Sequence, residues 1–277
     1  MTRVRLSLKQ APSLRVDLRG VKPAAFAGLT LAQIEHLPVT HGTQALPLAE
    51  FFSVTCEDTP ELGRELVFEG DLSRFDRIGW QLAEGRIVVT GSVGDYAGAC
   101  MTGGDVQVQG SAGLLAACEM AGGTLTIAGD VGDHAASTLP GSMDGMRGGT
   151  LVVRGRAGDR FADRMRRGTA LVFGDVGDFL ASRLVAGTIA IGGRAGAHVG
   201  YGMRRGSVVF AGAAPAIAPT FVPALIDAAV AWQLLARDLA RIAGNHSGPF
   251  EGLAARRTAR HLGDLAADGR GELFVAV

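Results

Sequence analysis

The chain has 277 residues, of which 47% are hydrophobic, so it is long enough to bury a sizeable core. Its 27 basic and 27 acidic residues balance, which excludes the strong overall charge that draws a protein to nucleic acid or to an anionic membrane. No apolar signal core opens the sequence and no stretch approaches the ~18 apolar residues of a membrane span, so we expect a cytoplasmic protein that binds neither nucleic acid nor a membrane.

Residues 1–69 are predicted to form an N-terminal arm. Two stretches of alternating apolar residues, at 4–8 and 14–18, are separated by a turn at 11–13 and predict a β-hairpin. Thr30 and Gln33 have the spacing of a capping box, which predicts a short helix that ends near His36. The remainder of the arm is rich in proline and turn residues and leads into a repeat.

A repeat of 19 residues comes next, and it accounts for much of the glycine content of 41 residues. A weaker unit of 21 residues begins at Gly70, and the third of the regular units is longer by seven residues, which predicts a protruding loop at 138–144. Glycine also occupies positions 4 and 14 of each unit, and a β-branched run that predicts a strand comes after position 14. The regular units begin at Gly91, Gly110, Gly129, Gly155, Gly174 and Gly193, and Gly212 opens the C-terminal segment.

Two apolar columns predict the interior. Position 3 alternates between valine and alanine, which lets neighbouring layers interdigitate. Position 11 is a file of large apolar residues that fills the interior or, alternatively, forms a methionine-rich metal or partner site. Since such a repeat buries its apolar face only when stacked, residues 70–212 are predicted to form a right-handed parallel β-helix of about seven coils. The position 11 file is Met101, Met120, Met146, Met165, Leu184 and Met203.

Residues 213–277 are predicted to form a C-terminal helix and tail. The segment from Phe221 to Ala243 has helical spacing of apolar residues, among them Leu225, Ile226, Val230 and Leu234. An open end of a β-helix exposes strand edges, so we expect this helix to cap it or to dock a partner. The tail ends in a strand-like GELFV at 271–275.

Few residues are candidates for catalysis or metal binding. The cysteines Cys56, Cys100 and Cys118 lack the spacing of zinc or iron-sulfur ligands. His134 and His198 share a repeat position but lie three coils apart, at roughly 14 Å. The sequence therefore predicts no catalytic residue, no metal and no cofactor bound by this chain alone. A column at position 5, interpreted as turn-stabilising residues rather than a calcium site, comprises Asp95, Asp133, Asp159 and Asp178.

A strip of arginines is the one polar feature that folding leaves unexplained. Arginine recurs at positions 12 and 13, and stacked coils would place these residues on one face. They form either a solvated corner or a basic strip for an acidic partner surface or a polyanionic ligand, since guanidinium groups pair with carboxylates. The candidates are Arg147, Arg166, Arg167, Arg204 and Arg205, with Arg164 and Arg183 nearby.

The glycine columns at positions 1, 4 and 14 of the repeat resemble the GXGXG domain shared by the C-terminal part of the glutamate synthase large subunit and by the C subunit of formylmethanofuran dehydrogenase. The segments HLPVTHG (36–42), FFSV (51–54) and GDLAADGRGELFV (263–275) extend the resemblance to that C subunit over the whole length. In methanogens that family forms tungsten or molybdenum enzymes with iron-sulfur subunits. In aerobic methylotrophic bacteria it forms a formyltransferase/hydrolase complex that releases formate from a formylated furan or pterin carrier.

The resemblance implies a noncatalytic scaffold subunit whose partners are a hydrolase, a formyltransferase and a further subunit. The preference for arginine, with lysine only at Lys9 and Lys22, favours the bacterial version. The resemblance also points to a contact between the arginine strip and the polyglutamate tail of a furan carrier, methylofuran. A molybdenum or tungsten formylmethanofuran dehydrogenase subunit and a glutamate-synthase-type oxidoreductase domain remain as alternatives.

Overall fold

The computed structural model describes residues 2–58, 64–225, 228–244 and 247–276. The described chain is mainly β, with helices α1 (Leu31–Glu35) and α2 (Ala229–Ala243). The strands are β1 (Thr2–Leu8), β2 (Val16–Asp17), β3 (Pro38–His41), β4 (Gln44–Pro47), β5 (Phe52–Asp58), β6 (Glu65–Glu69), β7 (Phe75–Asp76), β8 (Arg86–Val89), β9 (Thr102–Val108), β10 (Gly122–Ile127), β11 (Arg147–Val153), β12 (Arg167–Val172), β13 (Thr188–Ile191), β14 (Ser207–Phe210), β15 (Val222–Pro223), β16 (Thr258–Gly263) and β17 (Gly271–Ala276).

A large sheet holds most of these strands, in the order β15-β16-β17-β14-β13-β12-β11-β10-β9-β8-β6-β1-β5. From β6 through β14, and on to β17, every neighbouring pair is parallel. The register aligns equivalent positions of the repeat, so that Leu125 lies between Val106 and Leu151. All three side chains are fully buried, because period-two alternation turns the same face of each strand toward the core.

A second column of parallel pairing confirms that successive units stack. Single bridges connect the position 3 residues of neighbouring units. The position 11 file is completely buried, so its members pack the core, as expected, and form no partner surface. The bridged residues are Leu72, Val93, Ala112, Val131, Ala157, Val176 and Ala195.

The glycine columns arise from two separate requirements, both visible at Gly123. Its φ of +82° lies in the left-handed region, where a side chain is strained. A Cβ at this position would also lie 2.5 Å from the carbonyl oxygen of Gly103 in the neighbouring unit. Stacked turns therefore approach too closely for a Cβ at position 14.

The predicted N-terminal β-hairpin is wrong. Strand β1 pairs antiparallel with β5 and parallel with β6, and so lies within the large sheet. Of the second predicted strand, at 14–18, only the two residues of β2 form a strand. Strand β2 pairs with β3 and β7 in a four-stranded sheet. Alternation correctly identified Val4 and Leu6 as buried, but burial of one face does not select a pairing partner.

The short helix α1 confirms the capping box. The Thr30 hydroxyl accepts a hydrogen bond from the Gln33 N–H, and the Gln33 side chain accepts one from the Thr30 N–H. Ile34 is buried beneath the helix, which anchors α1 to the core of the arm.

Helix α2 packs on the outward face of the large sheet. Its buried residues Trp232, Ala236 and Leu239 form a second apolar cluster with sheet residues that include Leu171 and Phe274. The Trp232 and Phe274 rings stack at 5.8 Å between centroids. The repeat strands nearest the C-terminus are thus apolar on both faces, which explains why their sequences are continuously hydrophobic.

The prediction of a capping helix is therefore wrong in its extent and its position. The helix begins at Ala229 rather than at Phe221, and Ile226 lies outside the described residues. Val230 and Leu234, expected to be part of its buried face, are 74% and 63% exposed. The helix covers the outer face of the sheet and leaves the end of the stack to another element.

That element is the tail. Strand β17 extends the stack because it pairs parallel with β14, and β16 then pairs antiparallel with β17. The predicted GELFV strand is confirmed, and it covers the edge that β14 would otherwise expose. Asp264, which is 6% exposed, secures the approach to β17 by accepting hydrogen bonds from the N–H groups of Gly202 and Ala266.

Candidate functional site

The arginine strip predicted from the repeat is brought together in one groove. The groove has a volume of about 490 Å³, and Val185 and Ala186 line it between the arginines. All five predicted site residues border it: Arg147, Arg166, Arg167, Arg204 and Arg205.

Backbone hydrogen bonds to residues of the buried position 11 file hold two of the arginine pairs in place. The N–H groups of Arg166 and Arg167 both donate to the carbonyl oxygen of Met146, at 2.8 and 3.3 Å. In the same way, the N–H groups of Arg204 and Arg205 both donate to the carbonyl oxygen of Leu184. Each arginine pair thus directly follows a buried position 11 residue, at the point where the chain passes from the core to the surface. Two coils separate the pairs, which corresponds to roughly 10 Å.

The charges in the groove are only partly neutralised. Arg147 lies 3.6 Å from Glu119, and Arg166 lies 2.5 Å from Asp144. Asp144 belongs to the loop at 138–144, which contains no helix or strand and in which Met143 is 65% exposed, as expected of a protruding loop.

The other three arginines, Arg167, Arg204 and Arg205, are exposed and form no ion pair with any described residue. The groove therefore carries a net positive charge that is available to a ligand.

Arg164 and Arg183 border an adjoining groove that shares Arg166 and Arg204. Arg183 grips the nearly buried carboxylate of Asp163 with two nitrogens, at 3.1 Å from Nε to Oδ1 and 2.8 Å from Nη2 to Oδ2. Since this carboxylate already pairs with Arg183, that arginine contributes structure rather than free charge to the surface.

Arg270 is a groove residue that the repeat pattern did not predict. It borders a pocket together with Arg204 and Arg205, and its N–H donates to the carbonyl oxygen of Arg204 at 2.7 Å. This residue lies outside the repeat, but β17 brings it into the next layer of the strip. The signal was the Arg-Gly pair at 270–271 directly before the ELFV run, which matches the Arg-Gly pair at 205–206 directly before the SVVF run of β14.

The aspartate column is confirmed as turn-stabilising, with bonds that run between units. The Oδ1 atoms of Asp95, Asp159 and Asp178 accept hydrogen bonds from N–H groups 19 residues further along, at 2.7 to 2.9 Å. Asp133 does the same across the longer unit, to the N–H of Asp159. Within the described residues no group of three or more histidine, cysteine or acidic side chains could hold a metal ion.

Two of the three cysteine thiols, those of Cys100 and Cys118, are poorly suited to nucleophilic chemistry. Burial raises the pKa of Cys118 to about 12, and its thiol contacts the Ser137 hydroxyl. Burial also raises the pKa of Cys100. Both residues are therefore thiols near neutral pH, whereas the thiolate is the reactive form.

Neither α1 nor α2, the α-helices of the described ranges, is long and apolar enough to cross a membrane.

The stacked parallel units and the arginine groove define a β repeat protein, and comparisons with known proteins narrow that class. No family model matches the chain. A chain of the X-ray structure of the formyltransferase/hydrolase complex (FhcABCD) from Methylorubrum extorquens in complex with methylofuran is 39% identical, with a TM-score of 0.86 over 99% of both chains. The chain therefore belongs to the C-subunit family of formyltransferase/hydrolase complexes and formylmethanofuran dehydrogenases.

Individual members of this family match over shorter segments. The C subunit of the tungsten-containing formylmethanofuran dehydrogenase 2 from Methanothermobacter wolfeii is 34% identical over 101 residues, which cover 36% of this chain and 37% of that protein. The C subunit of the Fhc formyltransferase/hydrolase complex from Methylorubrum extorquens is 41% identical over 80 residues, which cover 29% of each chain. These alignments thus span about a third of the length of the relatives.

Proposed function

We propose that this chain is the C subunit of a formyltransferase/hydrolase complex, which converts formyl groups on a furan or pterin one-carbon carrier to formate. The observation that carries this proposal is the end-to-end match to a chain of the complex from Methylorubrum extorquens. Its partners are then a hydrolase, a formyltransferase and a further subunit, in the cytoplasm.

The role we propose within the complex is that of a noncatalytic scaffold. Two columns of parallel pairing and a fully buried file support a continuous right-handed parallel β-helix of about seven coils, since parallel strand connections are almost always right-handed. In this proposal the helix spans 70–212, between an arm at 1–69 and a tail at 213–277. The raised pKa values of Cys100 and Cys118 support the assignment of catalysis to other subunits.

We further propose that the arginine groove holds the polyglutamate tail of methylofuran. Three arginines without ion pairs among the described residues offer planar guanidinium groups to successive carboxylates. Val185 and Ala186 offer apolar surface for the methylene groups between those carboxylates. An acidic surface of a neighbouring subunit is the alternative occupant.

Co-purification with and without this chain tests the subunit assignment. The partner subunits, expressed together with it, should form a complex that contains this chain and produces formate, as judged by native mass spectrometry and a formate assay. A fully assembled and active complex that forms without this chain would contradict the scaffold role.

A fourfold variant, R166A/R167A/R204A/R205A, tests the groove. We expect the variant complex to assemble but to retain less carrier, as measured by mass spectrometry of the released cofactor. The matched control is R194A/R241A, because these arginines are 79% and 74% exposed and do not line the groove. Loss of assembly would identify an acidic subunit as the occupant, and unchanged assembly with unchanged carrier content would leave a solvated corner.

Two other functions are consistent with parts of the sequence. Several relatives of known function are subunits of tungsten or molybdenum enzymes, so the redox version is the second candidate. Tungsten or molybdenum in the purified complex would favour it. A flavin or pterin bound to the isolated chain would instead favour an oxidoreductase domain of the glutamate synthase type.

A further inference from the structure

A second column of large side chains runs along a corner of the stack, at position 6 of each regular unit and at the equivalent position 8 of the 21-residue unit that begins at Gly70. All seven members have left-handed backbones, with φ between 57° and 63°. This sixth-position column consists of Arg77, Tyr96, Leu115, His134, Arg160, Phe179 and His198.

Side chains occupy every position of this column although a left-handed backbone favours glycine. Glycine adopts a left-handed conformation without strain, yet glycine occurs at none of these seven positions. Two positions later the backbone is left-handed again, and there every residue is glycine or alanine: Gly79, Gly98, Ala117, Ala136, Ala162, Ala181 and Gly200. The large side chains of the sixth-position column therefore reflect what they contact and not what the turn requires.

Planar groups stack along the C-terminal part of this column. The guanidinium carbon of Arg160 lies 4.8 Å from the centroid of Phe179, and His198 stacks on Phe179 at 4.7 Å with 24° between the ring planes. The Tyr201 ring stands edge-on to Phe179 at 6.3 Å and is 60% exposed. His198 is the last member of the column and is also exposed, so the stack ends on an accessible imidazole beside a phenol.

A row of exposed carboxylates runs beside the stack. Asp133, Asp159 and Asp178 each use Oδ1 to accept a hydrogen bond from the next unit, and none forms an ion pair with a described residue. Asp178 accepts its hydrogen bond from the N–H of Ala197, which directly precedes His198. Negative charge thus borders the aromatic surface.

From this arrangement we propose that His198 and Tyr201, which both pack against Phe179, form together with Asp178 a docking surface for arginine side chains of a partner subunit. An arginine guanidinium is planar, stacks on aromatic faces and pairs with carboxylates, so it matches both parts of the surface. Arg160 already makes the equivalent contact on Phe179 from within the chain. The partner is one of the subunits in the proposed complex, so its identity rests on the proposed function, whereas the surface chemistry does not.

Peptide binding to the purified full-length chain tests this inference separately from the complex. The probe is acetyl-Arg-Gly-Arg-amide, and acetyl-Lys-Gly-Lys-amide provides the same charge without planar groups. We expect the arginine peptide to bind about two- to fivefold more tightly than the lysine peptide, as measured by NMR titration. Equal affinities, or no binding of either peptide, would overturn the proposal.

The variant His198→Gly removes the ring while keeping a backbone that tolerates a φ of 59°. The matched control is His134→Gly, which makes the same change at the same repeat position, where φ is 61° and no ring stack is present among the described residues. We expect only His198→Gly to abolish the preference for arginine. Equal preference in both variants would overturn the proposal, and circular dichroism melting curves establish that both variants are folded.

Discussion

Arg183 and Asp163 form a two-pronged ion pair in which the acid is almost completely buried while the arginine reaches the surface. The side chain of Asp163 is 7% exposed and that of Arg183 is 40% exposed. The pair joins neighbouring units of the repeat beside the arginine groove. It therefore distinguishes an arginine that maintains the fold from the arginines that offer charge to a ligand.

We expect Arg183→Ala to destabilise the chain by about 2 kcal/mol, because it leaves the buried carboxylate of Asp163 with only the longer contact to Arg164, at 3.9 Å. The value lies below that of a fully buried pair since Arg183 is partly solvated. Urea denaturation of the isolated chain measures the change. The control is Arg194→Ala, which breaks an exposed pair with Asp175 and should cost less than about 1 kcal/mol. Equal losses in the two variants would contradict this interpretation.

Removal of a methionine from the position 11 file should leave a cavity between stacked units. Met165 is fully buried, so Met165→Ala is expected to lower the free energy of unfolding by about 2–5 kcal/mol. Met143→Ala is the control, because Met143 is 65% exposed, and it should change stability by less than about 0.5 kcal/mol. A small effect at Met165 would indicate that the units collapse around the gap.

Two glycines separate backbone strain from steric exclusion. Gly141 and Gly123 have nearly the same φ, at +85° and +82°, but only at Gly123 would a Cβ meet other atoms within 4 Å. We expect Gly141→Ala to cost about 1 kcal/mol, through the left-handed backbone alone. Gly123→Ala should be considerably more destabilising, as measured by thermal melting, because neighbouring units must move apart. Similar melting temperatures for the two variants would show that the stack has room to relax.

Asp264 should make the stability of the tail depend on pH. Burial acts to raise the pKa of Asp264, but hydrogen bonds from the Thr220 side chain and from the N–H groups of Gly202 and Ala266 outweigh it and lower the pKa. Because the folded-state pKa lies below the unfolded value of about 3.9, this contribution is fully present above that value. It is lost as pH falls through the folded-state pKa.

Asp264→Asn should therefore lose stability near neutral pH and lose less than the parent chain on acidification from pH 6 to pH 3. Denaturation curves at several pH values measure the difference. Asp175→Asn provides a comparison at a partly exposed site away from the tail, where a hydrogen bond from the Arg194 N–H also lowers the carboxylate pKa. A parallel pH dependence in Asp264→Asn and the parent chain would rule out Asp264 as the source.

The repeat determined much of this molecule from sequence alone. A period of 19 residues aligns equivalent positions, and the glycines at position 14 permit the close approach of units, so the parallel columns and the buried methionine file can be predicted directly. The same periodicity predicted that five arginines would share a face, and all five line one groove. Periodic sequences are predictable in this way because each unit contacts mainly its neighbours.

Only the tertiary structure decided how the two ends of the chain join this stack. The alternation in β1 indicated a buried face, but the choice of β5 and β6 over β2 depends on contacts between residues distant in sequence. Helix α2 has apolar residues on several sides, and the outward face of the large sheet selected Trp232 and Leu239 over Val230 and Leu234. Arg270 joined the groove because β17 pairs with β14, and no local pattern encodes that long-range pairing.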